Sequence, residues 1–249
     1  MEKTKIDWCD STWNPVTGCL HGCEYCYAKG IAKRFSCGGE KWSDNETFIL
    51  ENKLYPDDES DKSSPYPYGF MPTFHKYRLD EYKNKKGRNI FVCSMADLFG
   101  DWVPDEWIAE VFEACEKAPQ HNYLFLTKNP KRYEKILGRY MPPNMWFGWS
   151  QTGPMGNKCD FTTHHSVRTF ISIEPLLDPF KEFHIRGVDW VIIGAETGRR
   201  KDKVVPGRKW IEDIVNECRK ADIPVFMKSS LSDVWGEPLV QEFPKELKR

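Results

Sequence analysis

The chain has 249 residues, which is enough for one large α/β domain or two small ones. Its 36 basic and 37 acidic side chains give a formal net charge of −1, so a general attraction to nucleic acid or to an anionic membrane is excluded, and any contact with nucleic acid has to be local. Residues 1–10 lack the apolar core of a signal peptide, and no apolar run approaches the roughly 18 residues of a membrane-spanning helix, so we expect a cytoplasmic protein.

Short runs rich in β-branched and aromatic residues predict seven buried strands along the chain. They cover residues 12–18, 89–95, 123–127, 145–150, 169–173, 188–193 and 224–227.

Between some of these strands the apolar residues recur at helical spacing. Residues 104–117 and 207–220 each predict a helix, and Asn129 is a suitable start for a shorter one that ends near Leu137. Strands that alternate with helices favour right-handed βαβ units and a parallel sheet. We therefore predict an α/β fold, a full or partial (β/α) TIM-type barrel of six or seven parallel strands.

One domain is predicted over residues 1–249, with an irregular insertion at residues 36–88. The insertion is rich in glycine and proline, and we expect no strand in it and one helix over residues 74–82.

Three cysteines lie within eight residues directly after the first predicted strand. A single compact loop can direct Cys19, Cys23 and Cys26 inward, and thiolates are soft ligands that suit zinc, copper or an iron–sulfur cluster. A cubane cluster with only three protein ligands keeps one iron open for a small molecule, whereas clusters that only move electrons usually bind every iron through the protein. Three cysteine ligands therefore indicate a cluster that takes part in a reaction and does not only transfer electrons.

Two other interpretations of the cysteines stay open. A structural zinc site could be completed by Cys9, Cys37 or His21, although a second CxxC pair is missing from the sequence. A second cluster could use Cys9 and Cys37. Disulfides are disfavoured by the odd total of nine cysteines and by the reducing compartment that we expect.

The CxxxCxxC spacing, with Tyr25 before the last cysteine, resembles the signature of the radical SAM superfamily. The resemblance implies a [4Fe–4S] cluster on Cys19, Cys23 and Cys26 whose fourth iron binds S-adenosyl-L-methionine, with Tyr25 beside the adenine. It also implies an electron donor of the flavodoxin or ferredoxin type, cleavage to a 5′-deoxyadenosyl radical, and hydrogen abstraction from a substrate. The protein's own part is orientation and exclusion of water.

The whole chain is also similar to a narrower group, the phage Gp37/Gp68-like (DUF5131-type) protein family, whose reaction is unassigned. The segments that carry this likeness are residues 7–8, 12–19, 90–99, 126–128, 173–177 and 189–198.

Polar residues that follow the predicted strands are the remaining site candidates, because catalytic groups of β/α barrels sit at the carboxyl ends of the strands. The predicted catalytic groups are Glu174, Glu196, Lys128 and Lys228, and the predicted cofactor-binding groups are Tyr25, Ser94, Asp97, Thr127, Ser150 and Gly194. A structural network in which the two glutamates pair with the two lysines is the alternative.

The triplet Gly38-Gly39-Glu40 spells the motif that radical SAM proteins use for the methionine amino group, but its position is wrong for that role, which we assign to residues 94–97 instead. The sequence does not name the substrate. The family resemblance and the basic runs at residues 83–88 and 199–203 favour modification or repair of a nucleic acid or nucleotide. The alternative function is a non-catalytic iron–sulfur or zinc protein with a structural, redox-sensing or nucleic-acid-binding role.

Overall fold

The computed structural model describes residues 4–36, 46–55, 62–137, 141–154, 167–180, 183, 185, 187–198 and 200–248. Cys37 and the triplet at residues 38–40, which entered the sequence predictions, lie outside the described residues.

Seven parallel strands form a curled sheet, a partial TIM-type barrel. They are β1 (Ser11–Trp13), β5 (Asn89–Val92), β6 (Asn122–Thr127), β7 (Met145–Ser150), β8 (Arg168–Ile173), β9 (Trp190–Ile193) and β10 (Val225–Met227), and they are hydrogen-bonded in that order. Each neighbouring pair is parallel. The predicted fold class is confirmed in its partial form.

Helices cover one face of this sheet. Helix α2 (Asp105–Glu116) starts after Pro104, and helix α4 (Arg208–Lys220) starts after Gly207; their apolar stripes pack into one core with one set of alternating strand residues. Cys115 and Cys218 are buried in these stripes, as the helical spacing predicts. The helix predicted from Asn129 is a 3₁₀ turn, Pro130–Arg132, followed by α3 (Tyr133–Ile136).

The opposite face carries a layer of large apolar side chains. Side chains alternate along a strand, so residues two apart share a face. The layer consists of Trp8, Phe91, Leu124, Trp146, Phe170, Trp190, Ile192, Phe226 and Leu247. It forms the floor beneath the carboxyl ends of the strands.

A second, three-stranded sheet corrects the expectation for the insertion. It consists of β2 (Val16–Thr17), β4 (Thr73–His75) and β3 (Phe48–Leu50) in that order, so the insertion is not free of strands. The helix predicted over residues 74–82 is wrong, because its first residues belong to β4 and only a 3₁₀ turn, Lys76–Arg78, follows. These strands are too short to leave a periodic signal, and tertiary pairing overrides local propensity.

The strand predicted over residues 12–18 is also two strands, because β1 and β2 belong to different sheets. The chain changes sheet at Asn14, whose Oδ1 accepts hydrogen bonds from the amide of Met95 (2.9 Å) and the hydroxyl of Ser94 (3.2 Å). Pro15, the next residue, has no amide to donate to a ladder.

Two short helices complete the described elements, α1 (Tyr27–Arg34) after the cysteines and α5 (Ser232–Trp235) near the end of the chain. In the described part of the chain, every helix is too short or too polar to cross a membrane.

Gly18 connects the small sheet to the cysteines. It has φ +88°, and a Cβ there would lie 2.1 Å from the carbonyl oxygen of Met71, so both the conformation and the space require glycine. The Gly18 amide donates to the carbonyl of Met95 (2.9 Å), and the Cys19 amide donates to that of Phe70 (3.1 Å). The start of the cysteine loop is therefore held between the insertion and the end of β5.

A buried histidine joins β4 to β2. His75 Nε2 lies 2.8 Å from the Thr17 hydroxyl, and its Nδ1 lies 3.3 Å from the hydroxyl of Tyr77. Burial, together with the positive charge of Arg78, lowers the pKa of His75 from 6.5 to about 3. The imidazole is therefore neutral in the folded protein.

Stability should consequently fall in mild acid. The unfolded ring binds a proton near pH 6.5 but the folded ring only near pH 3, so the unfolded state holds more protons between these values and stability is lost as pH falls through that window. We expect the unfolding free energy of the wild type, minus that of His75→Gln, to drop by ~1.4 kcal/mol per pH unit between about pH 6 and pH 4. Urea unfolding across this range measures it, and parallel pH profiles would contradict it.

Candidate functional site

A cavity of about 700 Å³ opens at the carboxyl ends of the strands. This volume is within the range of ~300–1,000 Å³ that is typical of ligand pockets. Its floor includes Trp8 and Phe91 from the apolar layer. All predicted site residues except Gly194 line it: Cys19, Cys23, Cys26, Tyr25, Ser94, Asp97, Thr127, Lys128, Ser150, Glu174, Glu196 and Lys228. The structure thus brings the candidates together, while their individual roles remain predictions.

The cysteine loop, residues 19–26, forms one wall of this cavity and ends at α1. Cys26 is the N-cap of that helix, and its Sγ accepts a hydrogen bond from the amide of Lys29 (3.4 Å). Helix N-termini present unpaired amides and a partial positive charge. The arrangement suits a sulfur that carries negative charge when it is bound to a metal.

The environment of Cys19 tests whether the loop fits a cationic group. Burial is the largest cause of the raised pKa of Cys19, the nearby Asp97, Cys23 and Cys26 act in the same direction, and a backbone hydrogen bond opposes them, so that the pKa lies at about 12. The thiols thus lie close enough to repel one another as anions. A cationic cluster would offset that repulsion and displace the protons, so the donor set fits an iron–sulfur cluster.

The zinc alternative requires ligands that converge on one centre. Among the described residues, no group of three or more histidine, cysteine, aspartate or glutamate side chains is placed to hold a metal ion. Zinc needs its ligands converged on one centre at about 2.0–2.3 Å. A cubane cluster binds each thiolate at a different iron and needs no such convergence. For the zinc alternative, the candidate ligand Cys37 lies outside the described residues.

The carboxylate of Asp97 is fully engaged by protein donors. Its Oδ1 accepts hydrogen bonds from the amide of Phe99 (3.0 Å) and the hydroxyl of Thr127 (2.7 Å). Its Oδ2 accepts one from the amide of Lys128 (2.8 Å) and lies 2.7 Å from Nε2 of His21. Both Asp97 and Thr127 line the cavity, where cofactor binding stays a prediction for them, and the contacts also connect them to each other.

An ion pair joins the ends of β8 and β10 across the end of β9. Lys228 donates to Glu174, and both side chains are partly accessible. Gly194 follows β9 between them, and a Cβ there would lie 3.0 Å from Cδ of Lys228 and 3.2 Å from Cγ of Glu174. Gly194, which was predicted to bind cofactor, therefore leaves the space in which this pair forms.

Glu196 pairs with an arginine and not with the lysine that the alternative of a structural network predicts. Arg200 holds it in two hydrogen bonds (2.7 and 2.8 Å), and the Val204 amide adds a third (3.2 Å). Its side chain is 1% exposed. The bonds from Arg200, assisted by that from Val204, lower the pKa of Glu196. The carboxyl is therefore ionised at neutral pH and has no proton to donate.

Lys128 lies over the ring of Tyr25, with Nζ 5.3 Å from the ring centroid. Burial raises the pKa of Tyr25, and the positive charge of Lys128 works against that rise. The predicted cofactor side chain and the predicted catalytic lysine thus form one contact at the cavity wall.

Sequence reasoning missed three side chains that hold these candidates in place. The sequence identifies His21 only as a possible zinc ligand. It places Asn14 inside a predicted strand and Arg200 in a basic run. Only His21 carried a local signal, its position between two cysteines. The partners of the other two come from distant parts of the chain or depend on the path of a loop.

Comparison with known proteins establishes the family and supports the fold. The model of the family "Protein of unknown function (DUF5131)" matches residues 3–246, so the chain belongs to that family. No curated protein matches the sequence significantly.

Solved structures of spore photoproduct lyase are similar in fold. A mutant with dinucleoside spore photoproduct has a TM-score of 0.53 at 11% identity, and the match covers 91% of this chain and 78% of the other. A tyrosine-to-phenylalanine mutant gives 0.54 at 10% identity, and a double mutant with bound AdoMet and dinucleoside spore photoproduct gives 0.52 at 10%, with the same coverage. At these identities the likeness concerns the fold, a partial barrel of the radical SAM type. These comparisons do not support the name phage Gp37/Gp68-like for the family.

The elevated pKa of Cys19 predicts slow alkylation of the cluster-free protein. A thiol of pKa about 12 is ~1,000-fold less ionised at pH 8 than one of pKa 9, and the thiolate is the nucleophile. We expect iodoacetamide at pH 8 to modify Cys19 at least ~100-fold more slowly in the folded protein than in urea. Peptide mass spectrometry measures both rates, and similar rates would show that Cys19 is not buried as described.

Proposed function

We propose that this protein is a radical SAM enzyme that acts on a nucleic acid or nucleotide, in modification or repair. In the proposal Cys19, Cys23 and Cys26 hold a [4Fe–4S] cluster. The observation that carries it is the position of the cysteine loop, which lies on the wall of a cavity at the carboxyl ends of the strands of a partial barrel. That is where β/α barrels place their chemistry.

When bound, the cluster and S-adenosylmethionine supply a 5′-deoxyadenosyl radical. This chain's own residues would orient the reactants and exclude water. Tyr25, Ser94 and Ser150 line the cavity close to the loop or at strand ends and can contact the cofactor. The buried apolar layer lies beneath the cavity, and its side chains would limit contact with water on that side.

The Glu174 and Lys228 pair is the candidate for contact with the substrate. Each side chain reaches the cavity, and a polar group of the substrate could replace one member as the partner of the other. In that contact Lys228 would offer protons from Nζ and Glu174 would accept them at its carboxylate.

A nucleic-acid substrate is supported by the surface beside the cavity. Tyr27 and Phe35 on or after α1 are 51% and 54% exposed, and Tyr27 lines the cavity. The helix also carries the exposed cations Lys29, Lys33 and Arg34 and no acidic residue. Exposed aromatic rings stack on bases, and lysine or arginine side chains contact phosphates. One of the similar solved structures contains dinucleoside spore photoproduct.

The setting of the reaction belongs to the same proposal. An electron donor of the flavodoxin or ferredoxin type would reduce the cluster. A cytoplasmic location is consistent with the free state of the cysteines at positions 9, 19, 23, 26, 93, 115 and 218.

Anaerobic purification tests the chemistry. We expect about four irons and four sulfides per chain, and we expect 5′-deoxyadenosine after addition of dithionite and S-adenosylmethionine, quantified by mass spectrometry. Cys23→Ala should lose both. Cys218→Ala, which removes a buried cysteine of α4 far from the loop in sequence, is the matched control and should keep both. Stoichiometric zinc without sulfide, or a full cluster without 5′-deoxyadenosine, would favour the non-catalytic alternative.

The α1 surface makes a separate prediction about binding. Lys29→Glu with Lys33→Glu should weaken binding of a fluorescent single-stranded oligonucleotide, and the slope of log K against log salt should become shallower by ~0.7 for each phosphate that is no longer neutralised. Lys85→Glu with Lys86→Glu, in a basic run that the sequence also offers for nucleic-acid contact, is the comparison with the same charge change. These two lysines are exposed and precede β5, so they lie toward the end of the sheet opposite the cavity. Equal losses in the two variants, measured by anisotropy, would contradict a local site on α1.

A further inference from the structure

We infer that His21 and Asp97 form a positioning pair that keeps the cysteine loop in its cluster-binding conformation. The inference rests on the proposed function and deepens it, because it assigns a role to a residue inside the CxxxCxxC segment that is not a cysteine. It also changes the role of Asp97 from cofactor binding to positioning.

His21 lies between Cys19 and Cys23, two residues from each. Its Nε2 is 2.7 Å from Oδ2 of Asp97, a residue that is 4% exposed. A hydrogen bond to a carboxylate is stronger than one between neutral groups. The middle of the loop is thereby fixed to the segment that follows β5.

The acceptor of this bond is itself immobile. The other hydrogen bonds of Asp97 come from Phe99 in its own turn and from Thr127 and Lys128, so the carboxylate is tied to the end of β6. With both oxygens engaged twice, a cofactor amino group would have to displace one of these donors. The geometry is that of a rigid anchor for His21.

The imidazole is also held from its side. The ring of Trp102 meets that of His21 edge to face, with centroids 4.8 Å apart and an interplanar angle of 80°. Space for Trp102 depends on Gly100, because a Cβ there would lie 2.3 Å from the indole ring. The loop is thus fixed by a directional hydrogen bond and by a packed ring.

The chain provides a weaker contact from the same loop for comparison. Glu24 lies 3.3 Å from Nη1 of Arg200, but the Glu24 side chain is 82% exposed. Exposed ion pairs are screened by water and contribute little. Removal of Glu24 is therefore a matched control, a change in the same loop that breaks an exposed contact in place of the buried one.

The test uses the full chain, with four variants: His21→Ala, His21→Gln, Asp97→Asn and Glu24→Ala. After anaerobic reconstitution, we expect His21→Ala and Asp97→Asn to release iron to a chelator about 10- to 100-fold faster than the wild type, the usual effect of losing a partner that orients ligands. Glu24→Ala should stay within about 3-fold of the wild type. His21→Gln, which keeps a donor of similar reach, should recover most of the difference and the wild-type electron paramagnetic resonance spectrum.

Hydrogen exchange of the cluster-free protein tests the inference without relying on the proposed function. Amides of residues 19–26 should exchange at least ~10-fold faster in His21→Ala than in the wild type or in Glu24→Ala, with thermal melting used to confirm that all variants fold. A wild type that takes up no cluster would overturn the proposed function, while exchange would still decide the role of His21. Unchanged exchange in His21→Ala would overturn the inference, and so would a His21→Gln variant as impaired as His21→Ala, since that outcome indicates a direct ligand.

Discussion

A single buried carboxylate connects the parts of this structure on which a site depends. Asp97, which follows β5, accepts hydrogen bonds from its own turn, from the end of β6 and from the cysteine loop. A buried charge is costly unless donors surround it, and four donors here satisfy it without the side chain of a lysine or arginine. Loss of that carboxylate would leave these donors unpaired at once, so the strand ends and the loop are coupled through one side chain.

The register of the parallel sheet determines which residues can meet at that point. Because the strands run in one direction, their carboxyl ends form one rim, and residues two apart share a face. Phe170, Ser172 and Glu174 accordingly lead from the floor to the cavity along β8 and its end. The floor of the cavity is therefore apolar, its rim is polar, and the cavity opens at the rim.

The sequence predicts the parts of this arrangement that follow from local pattern. Strand β7 is a run of six buried residues, and helix α4 has an apolar stripe at helical spacing. Both are long enough to be recognised in the sequence, and both predicted elements are confirmed. Strands β3 and β4 are three residues each and pair across more than twenty intervening residues, so nothing local marks them. In the same way strand topology predicts that Glu196 reaches the rim, but its pairing with Arg200 depends on the path of the loop that follows β9.

The charged side chains of the cavity differ in their hydrogen-bond partners, and therefore in how easily a ligand can contact them. Asp97 and Glu196 are buried and held by several protein donors each, so a ligand would have to break a satisfied network to reach them. Glu174 and Lys228 are joined to each other, and their side chains are 24% and 15% exposed toward the cavity. Exchange of one partner for a polar group of a ligand costs least there, because the outgoing charge keeps contact with water. We therefore propose this pair, rather than Asp97 or Glu196, as the place of contact with the substrate.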